Sequence, residues 1–218
     1  MLSKGEATKL IEGEAERREH KLGWRLLMSP WSTLSSARSA IITMNPGTPR
    51  DSAKRPSVIE WEVPRLSVEQ GSAYRLESWW NMPQGTAPLQ RQLLRLIEII
   101  GEQPDDILAG NLVPFASRSW NRLKDSGRAV TFGVDLWRKL LDPHRPERIF
   151  VLGGPTYRAF KAVVRADRES TYPSGWGQTP LRRSSYEGGV LIGLPHLSRF
   201  KLFGQNDRET LFREAAAL

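Results

Sequence analysis

The sequence predicts an α/β protein, a three-layer α/β/α sandwich around a mostly parallel central sheet of about four strands. Three observations predict it. Four short apolar runs, Ala40-Ile41-Ile42, Ile107-Leu108-Ala109, Ile149-Phe150-Val151-Leu152 and Val190-Leu191-Ile192, are continuous rather than alternating, as strands covered on both faces are. Stretches of helical spacing separate these runs, so strand and helix alternate along the chain. Three of the four runs also lead into a distinctive polar residue, Asn45, Asn111 and His196. If the strands are parallel, all three converge on the crevice beyond the strands' carboxyl ends, where ligands of open α/β sheets bind.

Taken in order, Lys4 to His20 is rich in Glu, Lys, Arg and Ala, which predicts a solvated N-terminal helix packed by Leu10, with His20 serving the helix dipole at its end. Residues 1–21 are then peripheral. Trp24, Leu26, Leu27, Met28 and Trp31 cluster around Pro30 as core-covering irregular chain. The first strand stops at Met44-Asn45-Pro46-Gly47, where Pro46 disfavours α at Asn45 and Gly47 opens backbone conformations closed to other residues. In the insertion 48–88, Val58, Glu60 and Glu62 alternate with Ile59, Trp61 and Val63, and Tyr74, Leu76, Ser78 and Trp80 share one parity. That pattern predicts an inserted β-hairpin over Ser57 to Trp80, with Gly71 in its turn.

Leu89, Leu93, Leu96, Ile97 and Ile100 recur at helical spacing up to a Gly101 cap. The second strand follows and ends near Asn111. A helix over Val134 to Leu141 breaks at Asp142-Pro143, and the third strand turns through Gly153-Gly154 into a helix from Pro155 to about Ala166. Ser170 to Gly189 looks like loop, with Arg182 and Arg183 in a polar setting. The fourth strand runs into Pro195-His196-Leu197-Ser198-Arg199-Phe200-Lys201, and Asn206-Asp207 caps a last helix to Ala217.

At 218 residues the chain fits one domain over 1–218, expected to be monomeric. Its net charge of +8 points to an anionic partner, nucleic acid being the commonest for a basic protein. Cysteine is absent, which rules out disulfides, Cys-ligated metal, iron–sulfur clusters and a thiol nucleophile, and fits an intracellular protein, cytoplasmic or, in a eukaryote, nuclear. The three histidines, His20, His144 and His196, lack metal-ligand spacing and partner carboxylates, so no metal and no cofactor are expected. No run approaches the ~20 apolar residues of a membrane helix.

Met44-Asn45-Pro46-Gly47 resembles the first active-site motif of the uracil-DNA glycosylase superfamily, above all its single-strand-selective and mismatch-specific branches. His196-Leu197-Ser198-Arg199 is similar to the second motif, often His-Pro-Ser-Pro, and Asn111 in Asn-Leu-Val-Pro-Phe to the pyrimidine-reading asparagine. Order and spacing agree over about Ala40 to Phe203. Two departures stand out: Thr43 occupies a position usually held by glycine, and the second motif keeps its His and Ser but not its prolines.

The resemblance implies hydrolysis of the N-glycosidic bond of uracil or a related damaged base in DNA, as in base excision repair. The base leaves as an anion, so donors placed where that charge develops accelerate its departure. In that scheme His196 donates to the uracil O2, Asn45 positions water, Asn111 matches the O4 and N3–H edge, and Met44 and Gly47 line the substrate. Trp61 and Trp80 are candidates to stack on the base, and Ser198, Arg199 and Lys201 to meet DNA. Two other readings share these residues: a DNA-binding protein of the same fold that lacks catalysis, and an enzyme acting on nucleotides or phosphorylated small molecules held at Gly153-Gly154.

Overall fold

The computed structural model describes residues 2–47 and 65–217. Its centre is a six-stranded sheet in the order β2-β1-β3-β6-β5-β4, formed by β1 (Ser39–Thr43), β2 (Leu108–Asn111), β3 (Arg148–Leu152), β4 (Asp167–Tyr172), β5 (Leu181–Tyr186) and β6 (Gly189–Leu194). The four apolar runs form the parallel part, β2, β1, β3 and β6, while β5 and β4 extend it antiparallel. The expectation of about four strands thus becomes six. β5 and the second half of β4 lie in the segment expected to be loop; β4, Asp-Arg-Glu-Ser-Thr-Tyr, is an exposed edge strand with no face to bury and so no apolar signal.

Successive residues of each parallel strand face opposite layers. Ala40, Ile42, Ile149, Val151 and Leu191 pack with α1 (Lys4–Arg17), α5 (Ser126–Leu141) and α6 (Gly154–Val164). Ile41, Phe150, Leu152, Ile192 and Leu194 pack with α3 (Ala73–Leu76), α4 (Pro88–Ile99) and α7 (Asn206–Ala216). The remaining α-helix among the described residues is the single turn α2 (Thr33–Ser36). The core is therefore two apolar layers separated by the sheet, the arrangement the sequence predicts.

Details differ from expectation in three places. On α1, a capping box between Ser3 and Glu6 starts the helix, but Ala7, Ile11 and Glu14 face inward while Leu10 is exposed. Residues 65–80 hold no hairpin strand. Arg65 makes an isolated bridge to Arg25, Gly71 closes a turn on Val68, and Tyr74 and Leu76 belong to α3; the rest of the expected hairpin, with Trp61, lies outside the described residues. The shared parity of Tyr74 and Leu76 came from a helical turn whose Tyr74 is buried. Finally, residues 24–28 do cover the core, and they do so as chain running antiparallel along the free edge of β2, with Met28 N donating to Ala109 O (2.7 Å), Asn111 N to Leu26 O (2.8 Å) and Arg25 N to Pro114 O (2.8 Å). That segment satisfies an edge that would otherwise expose unpaired backbone.

Strand order sets a topological switch point, the place where open α/β sheets bind ligands. From β1 the chain moves to one side for β2 and to the other for β3, so the order reverses between β1 and β3, with Asn45 and Gly153 at the carboxyl ends that flank the reversal. No helix among the described residues is long and apolar enough to cross a membrane.

Candidate active site

Because β1, β2, β3 and β6 are parallel, Asn45, Asn111, the Gly153 turn and His196 all stand at one edge of the sheet. The first loop is pinned to the chain after β2. Leu112 N donates to Thr43 O (2.8 Å), Val113 N to Met44 O (2.8 Å) and Ser117 N to Pro46 O (3.1 Å). Gly47 pairs with Ser117 in a parallel bridge, its φ is not positive, and a Cβ there would meet none of the described residues within 4 Å. The conformational freedom expected of Gly47 is therefore unused.

Asn45 is anchored through one end only. Its Nδ2 donates to Ser117 Oγ (2.8 Å), Phe115 O (3.1 Å) and Pro46 O (3.1 Å), and Ser117 Oγ in turn donates to Ser119 O (3.0 Å). Two of those partners are carbonyls, which only accept, so the amide has one orientation. Among the described residues nothing donates to Oδ1. The result is a half-buried amide whose acceptor is held in place and left uncommitted by the described residues.

His196 is anchored in the same one-sided way. Ser198 Oγ lies 2.7 Å from Nδ1, and the ring sits against the Gly153 turn, where a Cβ would come within 4.0 Å of its Cδ2. Gly153 has φ +88°, the strained region that lets β3 turn at once into α6 and leaves this space for the ring. Desolvation by neighbouring atoms, then the positive charge of Arg199, push the His196 pKa below its ordinary 6.5, although the residue as a whole is exposed to solvent. The neutral imidazole is therefore favoured. Ser198 is thus placed beside the histidine rather than at a distance from it.

The loop that carries His196 is held from outside. Gln92 of α4 accepts from Leu202 N and Phe203 N (both 2.9 Å) and donates to Phe203 O (2.7 Å), while Glu209 accepts from Gly204 N (2.7 Å) and binds Arg95 with two hydrogen bonds. Arg208 lies over the Trp176 ring at 4.2 Å, and both side chains donate to Lys201 O. Sequence reasoning missed Gln92, Ser117 and Arg208, because each acts through contacts remote in sequence.

Asn111 reaches the same edge but is 3% exposed. Thr43 Oγ1 donates to its Oδ1 (2.7 Å), and its Nδ2 donates to Arg25 O (3.1 Å). Thr43, the departure from glycine, therefore supplies a partner to Asn111. Arg25 is itself fixed by a buried ion pair with Glu77, which also accepts from Arg65 (3.0 Å) and from Trp79 Nε1 (3.1 Å). One Nδ2 hydrogen and one Oδ1 lone pair of Asn111 remain.

The other candidates divide. Met44 is half buried against the core, while Arg199 and Lys201 are exposed. Trp80 is 58% exposed at φ +57°, and Trp61 lies outside the described residues. Arg182 pairs with Glu169 (2.6 Å), and Arg183 donates to Ala215 O (3.1 Å). His20 departs from its expected dipole role. It stacks on Phe115 with ring centroids 4.1 Å apart, and burial pushes its pKa down, so it favours the neutral form. No protein-family model matches the chain, and no curated protein aligns with it significantly.

Proposed function

We propose that the protein is a DNA glycosylase that hydrolyses the N-glycosidic bond of uracil or a related damaged base. The observation that carries this reading is the pairing of two one-sided anchors at a single sheet edge: Asn45 leaves an oriented acceptor, and His196 leaves its Nε2. Such a pair suits a reaction that needs a water oriented at C1′ and a donor for the departing base.

In the proposed reaction, the target nucleotide turns out of its stack into the crevice. Asn45 Oδ1 accepts a hydrogen bond from the attacking water and fixes its lone pair toward C1′; an amide is too weak a base to do more, so its contribution is positioning. The C1′–N1 bond breaks with its electron pair going to the base, and the water oxygen bonds to C1′. With Ser198 Oγ–H donating to Nδ1, the proton of the neutral His196 ring lies on Nε2, where it meets the negative charge growing on O2. The proton lost by water ends on the released base or in solvent. Asn111, 3% exposed, keeps the one hydrogen and one lone pair that the O4 and N3–H edge would need.

The test is release of free base from single-stranded and duplex oligonucleotides that carry one uracil. The reading predicts free uracil and an alkali-labile abasic site. DNA binding without either product would instead favour the non-catalytic reading.

A further inference from the structure

The segment that anchors Asn45 continues directly into Arg118-Ser119-Trp120-Asn121-Arg122. Ser117 is paired to Gly47, so Arg118 leaves the carboxyl edge of the sheet beside the first loop, and a 3₁₀ turn over Trp120–Arg122 holds Arg122 one turn further on. Both arginines are exposed, and neither forms an ion pair with any described residue. The nearby cation Lys124 is taken by Glu19 (2.5 Å), and Arg18 takes Asp125 (3.5 Å). Trp120 packs partly against the core, giving this short turn a fixed base.

The strand order arranges these charges with others. Passing along the edge from β2 to β6, the chain presents Arg118 and Arg122 after β2, Arg158 near the start of α6 after β3, and Arg199 and Lys201 after β6. Arg158 bends back over the first turn of its helix, with its Nη1 3.6 Å from where a Gly154 Cβ would stand. All five are exposed and outside any ion pair among the described residues. The four strands behind these loops span three inter-strand steps of about 4.8 Å, about 14 Å in all, and Asn45 and His196 follow two of them. The acids tied to the same region are already neutralised, Glu77 by Arg25 and Arg65 and Glu209 by Arg95.

We infer that Arg118 and Arg122 bind backbone phosphates of the DNA strand that carries the target nucleotide, on the Asn45 side of the crevice, while Arg199 and Lys201 hold the same strand on the His196 side. This deepens the glycosylase reading and rests on it for the choice of DNA as the ligand. The strand then crosses the sheet edge at right angles to the β-strands, which delivers one nucleotide to the crevice with a phosphate contact on each flank. Contacts of this kind position the strand and carry no sequence information.

The experiment is fluorescence anisotropy of the full-length protein with a labelled, uracil-free single-stranded oligonucleotide over a salt series, so binding is read without turnover. Arg118→Gln and Arg122→Gln are compared with Lys139→Gln, a cation of the last turn of α5 at the far end of the sheet. Each phosphate contact to a single strand contributes about 0.7 to the slope of log affinity against log salt. The inference predicts a slope lowered by about 0.7 in each arginine variant, by about 1.4 in the double variant, and unchanged in Lys139→Gln. Wild-type slopes in both arginine variants, or an equal loss in Lys139→Gln, overturn it. A wild type that releases uracil while both arginine variants bind normally rejects this surface alone. A protein that shows the predicted slopes but releases no uracil rejects catalysis and leaves the surface standing.

Discussion

Asn45 and His196 are each fixed through the atom that faces the protein, and in both cases the partner lies close at hand: Ser117 across the β1–β2 edge, and Ser198 two residues on. For His196 the electrostatic consequence can be measured. Adding a proton to the ring places a second positive charge near Arg199 in a crowded site, so both influences depress the pKa below 6.5. By linkage, the neutral ring contributes stability that is full above about pH 6.5 and lost as pH falls through the depressed value. Replacing Arg199 by Gln removes the charge and keeps the crowding, so an NMR titration of the His196 ring should give a higher pKa than in the wild type while still below 6.5. An unchanged or lower value would show that Arg199 does not act on the ring. Both residues were legible in the sequence because proline and glycine punctuate the ends of their strands. Ser117 was not, since a serine in a loop looks like any other until the fold brings it to Asn45.

At the scale of elements, the chain after β2 does more than connect. Leu112 and Val113 extend the pairing with β1, and α5 lies so close behind that a Cβ on Gly133 would stand 2.2 Å from Leu112 O. Gly133→Ala must push the helix off this segment, an overpacking that costs about 1–3 kcal/mol. For a chain of this size each kcal/mol shifts Tm by about 2–4 °C, so thermal melting should show a drop of about 2–12 °C. A wild-type Tm would mean that the helix and the segment are not in close contact. The same scale shows where sequence reading stops. β1, β2, β3 and β6 declare themselves as apolar runs because both faces are covered, whereas β4 and β5 carry Asp167, Arg168, Glu169, Arg182 and Arg183 and announce only polarity. The Arg25–Glu77 pair joins positions 52 apart, and Gln92 reaches Phe203 across 111, distances over which no local pattern carries information.

Across the whole molecule, a sheet order that reverses between β1 and β3 converts separate loops into one edge, and the account depends on that edge working as one site. The alternation of strands and helices made the edge predictable. The depth of Asn111 was not, because its burial follows from residues 24–28 folding back along β2. The central claim is that Asn45 and His196 are two halves of a single catalytic arrangement, and single-turnover base release tests it most directly. Asn45→Ala and His196→Ala, confirmed as folded and as binding uracil-containing single-stranded DNA like the wild type, should each lower the rate by about 100-fold or more, the scale seen when an oriented group serving the transition state is removed. Either variant releasing uracil at the wild-type rate would contradict the account.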